Sequence, residues 1–142
     1  MTDQQENILI QTSARDVSEV LLQVEQLAEW NPAFVSITGG PNARIGEVHP
    51  IRVRGGLSGH FQYDLITPDR IESSWQVPGF RETNRWQLHL AADQSTVVTH
   101  DFARSGPLAA LPRPGTGRVA QLRLARLKTR VEARADPNDR VG

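Results

Sequence analysis

The stretch that decides the fold runs from Gly59 to Ala103, GHFQYDLITPDRIESSWQVPGFRETNRWQLHLAADQSTVVTHDFA. Its first part alternates Phe61, Tyr63 and Leu65 with His60, Gln62 and Asp64. Ile71, Ser73, Trp75 and Val77 then alternate with Glu72, Ser74 and Gln76, and Trp86, Leu88 and Leu90 with Arg85, Gln87 and His89. Finally Val98, His100 and Phe102 alternate with Val97, Thr99 and Asp101. A period of two sends alternate side chains to opposite faces of a pleated strand. The breaks at Pro68-Asp69, Pro78-Gly79 and Asp93-Gln94 are short, so residues 59–67, 70–77, 81–91 and 96–103 read as an antiparallel meander with one covered and one wet face.

Working upstream, residues 7–12 are apolar and β-branched and read as a strand. Ser13 fits an N-cap for a helix in which Val17, Val20, Leu21 and Val24 recur at helical spacing. A second short helix, about 25–29, ends at Trp30-Asn31-Pro32 because proline restricts the residue before it. Strands are expected at 35–38 and 47–54, separated by Gly39-Gly40-Pro41-Asn42 and closed by Gly55-Gly56. Ile51 and Val53 suit the covered face of the second of these, Arg52 and Arg54 the wet one. Downstream, residues 108–111 could form one turn before Pro112-Arg113-Pro114-Gly115 breaks it. Thr116 then caps a helix to about Arg134 with Ala120, Leu124, Leu127 and Val131 in a narrow stripe. Strands followed by a helix predict an α+β domain over residues 1–135, with a polar tail at 136–142. The expected architecture is a seven-stranded curved antiparallel sheet around the C-terminal helix, with two short helices after the first strand and a hollow between sheet and helix.

The composition agrees with one folded domain. The chain has 142 residues, 38% hydrophobic and 23% charged, and a mean hydropathy of −0.43. At this length folding buries roughly two-thirds of the chain's surface, enough for a core. Cysteine is absent, which excludes disulfides, thiolate metal sites and cysteine nucleophiles. Sixteen bases balance sixteen acids, which argues against a globally basic nucleic-acid binder. That zero is a cancellation: residues 1–30 hold six acids against Arg15, and residues 113–134 hold seven bases against Glu132. The basic helix reads chiefly as a solvated face pairing with the acidic N-terminal segment; an acidic partner or an anionic membrane surface is the second reading, and nucleic acid, for which no aromatic or strand platform accompanies the helix, the least favoured. No leader is evident, because Ile8-Leu9-Ile10 is far too short for a signal or a membrane span, so a cytoplasmic location without stable membrane insertion is expected.

The chain resembles the polyketide cyclase/dehydrase and lipid-transport family of the START-like helix-grip superfamily (SRPBCC). Ser13-Ala14, Trp30-Asn31-Pro32-Ala33-Phe34, residues 95–102, and Ser105-Gly106-Pro107-Leu108-Ala109 leading into Ala125-Arg126-Leu127-Lys128 carry the resemblance. It implies a sheet gripping the last helix around a cavity for hydrophobic small molecules, in proteins that include aromatase/cyclases and lipid carriers. The two prolines and two glycines of residues 112–117 depart from the family pattern, which commonly continues the helix there. The resemblance also implies, for the family's cyclases, an inward arginine that helps hold the substrate; none is matched here residue by residue, and Arg52 or Arg54 would serve only with their strand's register reversed, against the better-buried Ile51 and Val53.

If the apolar strand face points at the helix, parity places Phe61, Tyr63, Ile71, Ser73, Trp75, Trp86, Leu88, Val98, His100 and Phe102 along the hollow, with Trp30 and Phe34 near one end. Aromatic walls with a few polar groups are typical of small-molecule sites. His100 is the sharpest candidate for proton transfer, although a core imidazole bonded to a strand neighbour or to Tyr63 is the favoured reading. Tyr63 reads equally as a donor to a ligand carbonyl and as a hydroxyl at a wet edge, and Ser73 as a space-maker. Arg85 should face solvent, and Glu82 faces inward only if its strand begins early. His49, His60 and His89 lack carboxylate or histidine neighbours at ligand spacing, so neither metal nor cofactor is expected; no phosphate-binding loop is present either. The expected function is binding of a hydrophobic, planar small molecule, with cyclase- or dehydratase-like activity open. The alternative is a non-catalytic lipid carrier, or an interaction module using the basic helix. The exposed edges of a curled sheet leave a homodimer open as well.

Overall fold

The computed structural model describes residues 3–40, 42–110 and 118–135. Strand β1 (Gln4–Ile10) leads into α1 (Ala14–Leu21), a 3-10 turn at Val24–Gln26, and α2 (Leu27–Trp30). Six strands follow: β2 (Phe34–Ile37), β3 (His49–Val53), β4 (Ser58–Ile66), β5 (Arg70–Val77), β6 (Phe80–Leu90) and β7 (Thr96–Ser105). A 3-10 turn at Pro107–Ala110 and the helix α3 (Val119–Ala135) complete the described elements. The strands form one seven-stranded sheet in the order β1-β7-β6-β5-β4-β3-β2, every neighbouring pair antiparallel. The expected fold class, a helix-grip sheet with a C-terminal helix, is therefore the observed one.

Local chemistry explains the boundaries. Ser13 Oγ accepts the backbone N–H of Asp16 at 3.2 Å and caps α1. The helix stops at Leu21, so Val24 reaches the core from the next turn, fully buried all the same. The expected helix at 25–29 is instead a 3-10 turn and one α-turn, which suits a short segment ending before Pro32.

Between Tyr63 and Leu65 the register of β4 slips by one residue. Beyond the slip Ile66 pairs with the inward Ile71, and Leu65 with the outward Glu72, so Leu65 leaves the face it was expected to share with Phe61 and Tyr63. A bulge of this kind bends and twists its strand. Close to the other end of β4, a Cβ on Gly59 would stand 1.8 Å from the carbonyl oxygen of Gln76. Only hydrogen fits where β4 and β5 come so close.

The stripe Ala120, Leu124, Leu127 and Val131 of α3 is fully buried against the sheet. Leu90, expected inward, is 85% exposed at the end of β6. Contacts from β1 and from Gln11 just after it hold α3 in place. Gln4 Oε1 accepts the N–H of Ala120 at 3.1 Å, the N–H of Gln11 reaches Glu132 at 3.0 Å, and Lys128 Nζ donates to the Leu9 carbonyl at 3.1 Å. Arg130 joins α3 to α2 through Glu29 at 3.1 Å and to Gln26 at 2.8 Å, one instance of the expected pairing between the basic helix and the acidic N-terminal segment. The Thr116 cap, the interruption at 112–117 and the tail at 136–142 lie outside the described residues.

Candidate functional site

Inward residues of β4, β5 and β6 meet α1 and α2 around a cavity of about 20 Å3. Trp30, Phe34, Phe61, Tyr63, Ser73 and Trp86 line it, as does Ile71. Trp75, Leu88, Val98, His100 and Phe102, expected in the same wall, are buried elsewhere in the interior. Leu21, Leu27, Asn31 and Asn84 complete the lining. The hollow expected between sheet and helix is thus largely filled by side chains, with space for about one water molecule. Its aromatic walls are locked edge to face: Trp30 against Trp86, Phe34 against Phe61 and Phe61 against Tyr63, with centroids 5.7, 5.7 and 5.0 Å apart.

Tyr63 is tied to the protein. Its hydroxyl donates to the Leu21 carbonyl at 2.6 Å, satisfying an acceptor at the end of α1. Burial raises the phenol above its ordinary pKa, so it stays protonated. Trp30 is the reverse case: its indole N–H is buried and has no acceptor among the described residues.

Beyond Asn84 lies a buried polar cluster that sequence reasoning missed. β6 begins at Phe80, early enough to turn Glu82 inward, where it is completely buried. Its Oε1 lies 2.7 Å from Nη1 of Arg123 and accepts from Trp75 Nε1 at 3.2 Å, while Oε2 lies 2.9 Å from Nε of Arg104. Arg123, 2% exposed on α3, also donates from Nη1 to Asn84 Oδ1 at 3.0 Å and lies over the Phe102 ring. Burial pushes the Glu82 carboxyl up, but the charges and hydrogen bonds of Arg123 and Arg104 together outweigh it and leave it below its usual value. A signal for Arg123 was present: it stands three residues after Ala120 and four before Leu127, within the buried stripe. Parity with Trp86 likewise pointed Asn84 inward.

His100 joins this cluster. Its Nδ1 lies 3.1 Å from the Arg85 carbonyl, which can only accept, so Nδ1 carries the proton and Nε2 faces Arg123 Nη1 at 3.4 Å. Trp86 stacks on the ring at 3.7 Å and 10°. Burial, and then the Arg123 charge, lower its pKa to about 3. Arg85 itself points outward, as expected, and pairs with Asp101 at 2.9 Å.

A second concavity lies outside. Between α2 and α3 a groove of about 360 Å3 is bordered by Trp30, Leu122, Ala125, Arg126 and Arg130, among others. Trp30 therefore borders both the interior cavity and this groove. Among the described residues no helix is long and apolar enough to cross a membrane.

Residues 1–132 match the family model described as polyketide cyclase / dehydrase and lipid transport. Among curated proteins no sequence matches. Solved structures do. A hypothetical protein from Helicobacter pylori superposes with a TM-score of 0.70 at 10% identity, covering 89% of this chain and 86% of that one. A START superfamily protein from Mycobacterium smegmatis gives 0.65 at 22% identity, with 93% and 98% covered. The Zhui aromatase/cyclase from a Streptomyces species gives 0.66 at 16% identity, with 95% and 96% covered. At these identities the likeness is one of fold.

Proposed function

Because the chain belongs to the polyketide cyclase/dehydrase and lipid-transport family, we propose that it binds a hydrophobic, planar small molecule in the interior between sheet and helices. The observation that carries this reading is the lining of the interior cavity. Trp30, Phe34, Phe61, Tyr63 and Trp86 supply flat apolar surface, and Ser73, Asn31 and Asn84 place a few polar groups among them. At about 20 Å3 the cavity is too small for such a ligand, so binding requires a lining side chain to move. Trp30 is the wall that borders the outer groove, and it sits on a helix of one turn.

Binding without acid–base chemistry is favoured over cyclisation or dehydration. A general base near neutral pH needs a pKa close to the working pH, whereas His100 is held at about 3 and lies off the cavity lining. The Tyr63 hydroxyl is committed to Leu21. Thermal denaturation against planar aromatic polyketide-like compounds and straight-chain lipids tests the reading. A ligand at a hundred times its dissociation constant adds about 2.7 kcal/mol. Stabilisation by the planar set supports the proposal, stabilisation by the lipids alone replaces the planar ligand with a lipid, and no response to either overturns it. Product formation that disappears in His100→Ala would restore the catalytic reading.

A further inference from the structure

We infer that the groove between α2 and α3 is the outer half of the ligand site, and that it selects an apolar ligand with one anionic end, of the class of aromatic carboxylates. This rests on the interior binding proposed above. The interior has room for about one water molecule, whereas the groove offers about 360 Å3. Trp30 is the one side chain common to the two linings. A ligand spanning groove and interior therefore contacts it.

Charge and hydrogen bonding identify the ligand's end. The groove's acid, Glu29, is already matched by Arg130 at 3.1 Å. Arg126 has no ion pair among the described residues. One positive charge is left over, and a single carboxylate on the ligand would complement it. Beside it Leu122, 44% exposed, and Ala125 offer apolar contact. The indole N–H of Trp30, buried without an acceptor, is the one such group in the two linings among the described residues, and a carboxylate oxygen at that depth would accept it.

The test compares naphthoate with the neutral naphthalenemethanol by calorimetry, and their association rates by stopped-flow fluorescence, on the full chain. Wild-type protein is expected to bind naphthoate about tenfold more tightly than naphthalenemethanol, the size of one charge-assisted contact. Arg126→Gln should remove most of that preference, weakening naphthoate far more than naphthalenemethanol. Ala125→Phe, at an exposed helix position that leaves the core intact, should slow the association of both probes without altering the circular dichroism spectrum. Binding of both probes with equal affinity, or with rates and preferences indifferent to these two substitutions, would overturn the groove assignment and leave interior binding standing. Failure of the wild-type protein to bind either probe would overturn the interior reading and the groove with it.

Discussion

Nη1 of Arg123 on α3 lies 2.7 Å from Oε1 of Glu82 on β6, with both side chains shut off from solvent. The pair fastens the C-terminal helix to the middle of the sheet. Truncating one member leaves the other charge buried, so Glu82→Ala is expected to cost about 3–5 kcal/mol. Arg123→Met should cost less, because Glu82 keeps Arg104. In a double-mutant cycle followed by urea unfolding, Glu82→Met with Arg123→Met should lose less than the two single losses added together. Strict additivity would show that the two do not act as a unit.

Acid should weaken the fold over a defined window. Folded His100 titrates near 3 against an ordinary value of 6.5. Between those values the unfolded chain binds a proton that the folded chain refuses. The stabilisation is fully present above 6.5 and is lost as the pH falls toward 3, at up to about 1.4 kcal/mol per pH unit. Glu82, also lowered, adds a loss of the same sign below its ordinary value of 4.5. Urea midpoints at pH 7 and pH 5 measure the slope, which should flatten in His100→Leu.

Gly59→Ala should be among the most damaging small substitutions, costing upwards of about 3 kcal/mol, the top of the range for overpacked cores. The added methyl would need the place held by the Gln76 carbonyl. Gly40→Ala is the control: nothing stands within 4 Å of a Cβ there, so its unfolding midpoint should stay within about 0.5 kcal/mol of wild type.

Tyr63→Phe removes the donor to Leu21 O and leaves a buried carbonyl unmatched. The expected loss is about 1–3 kcal/mol, read as a lower urea midpoint at an unchanged slope. An unchanged midpoint would mean that the hydroxyl does not hold the end of α1.

Most of the architecture was legible because burial on one face enforces strict alternation. Trp75, Trp86, Val98 and Phe102 are all covered where parity put them. Parity fails where the backbone breaks its own period, as at the β4 slip that turns Leu65 away. It also fails where a strand outruns its cover, as at Leu90. The candidate site was only partly legible for a different reason. Alternation reports which face a residue occupies, not its depth along the strand, so Trp86 and His100 were assigned to one wall although only Trp86 borders the cavity. Arg123 is missed because arginine is read as a surface residue, whereas the Glu82 carboxylate, about forty positions earlier, together with Asn84 Oδ1 makes its burial tolerable.

The way β1 is held has a consequence for the order of folding. Its strand partner is β7, and Gln4 and Leu9 within it and Gln11 just after it grip α3 across separations of 116, 119 and 121 residues. Within this domain, β1 is synthesised well before its partner β7 and the helix it holds. The central meander from β4 to β7, built from neighbouring hairpins, closes short loops and can pair beforehand. That separation favours a late arrival of the N-terminal strand, which together with α3 would seal the interior.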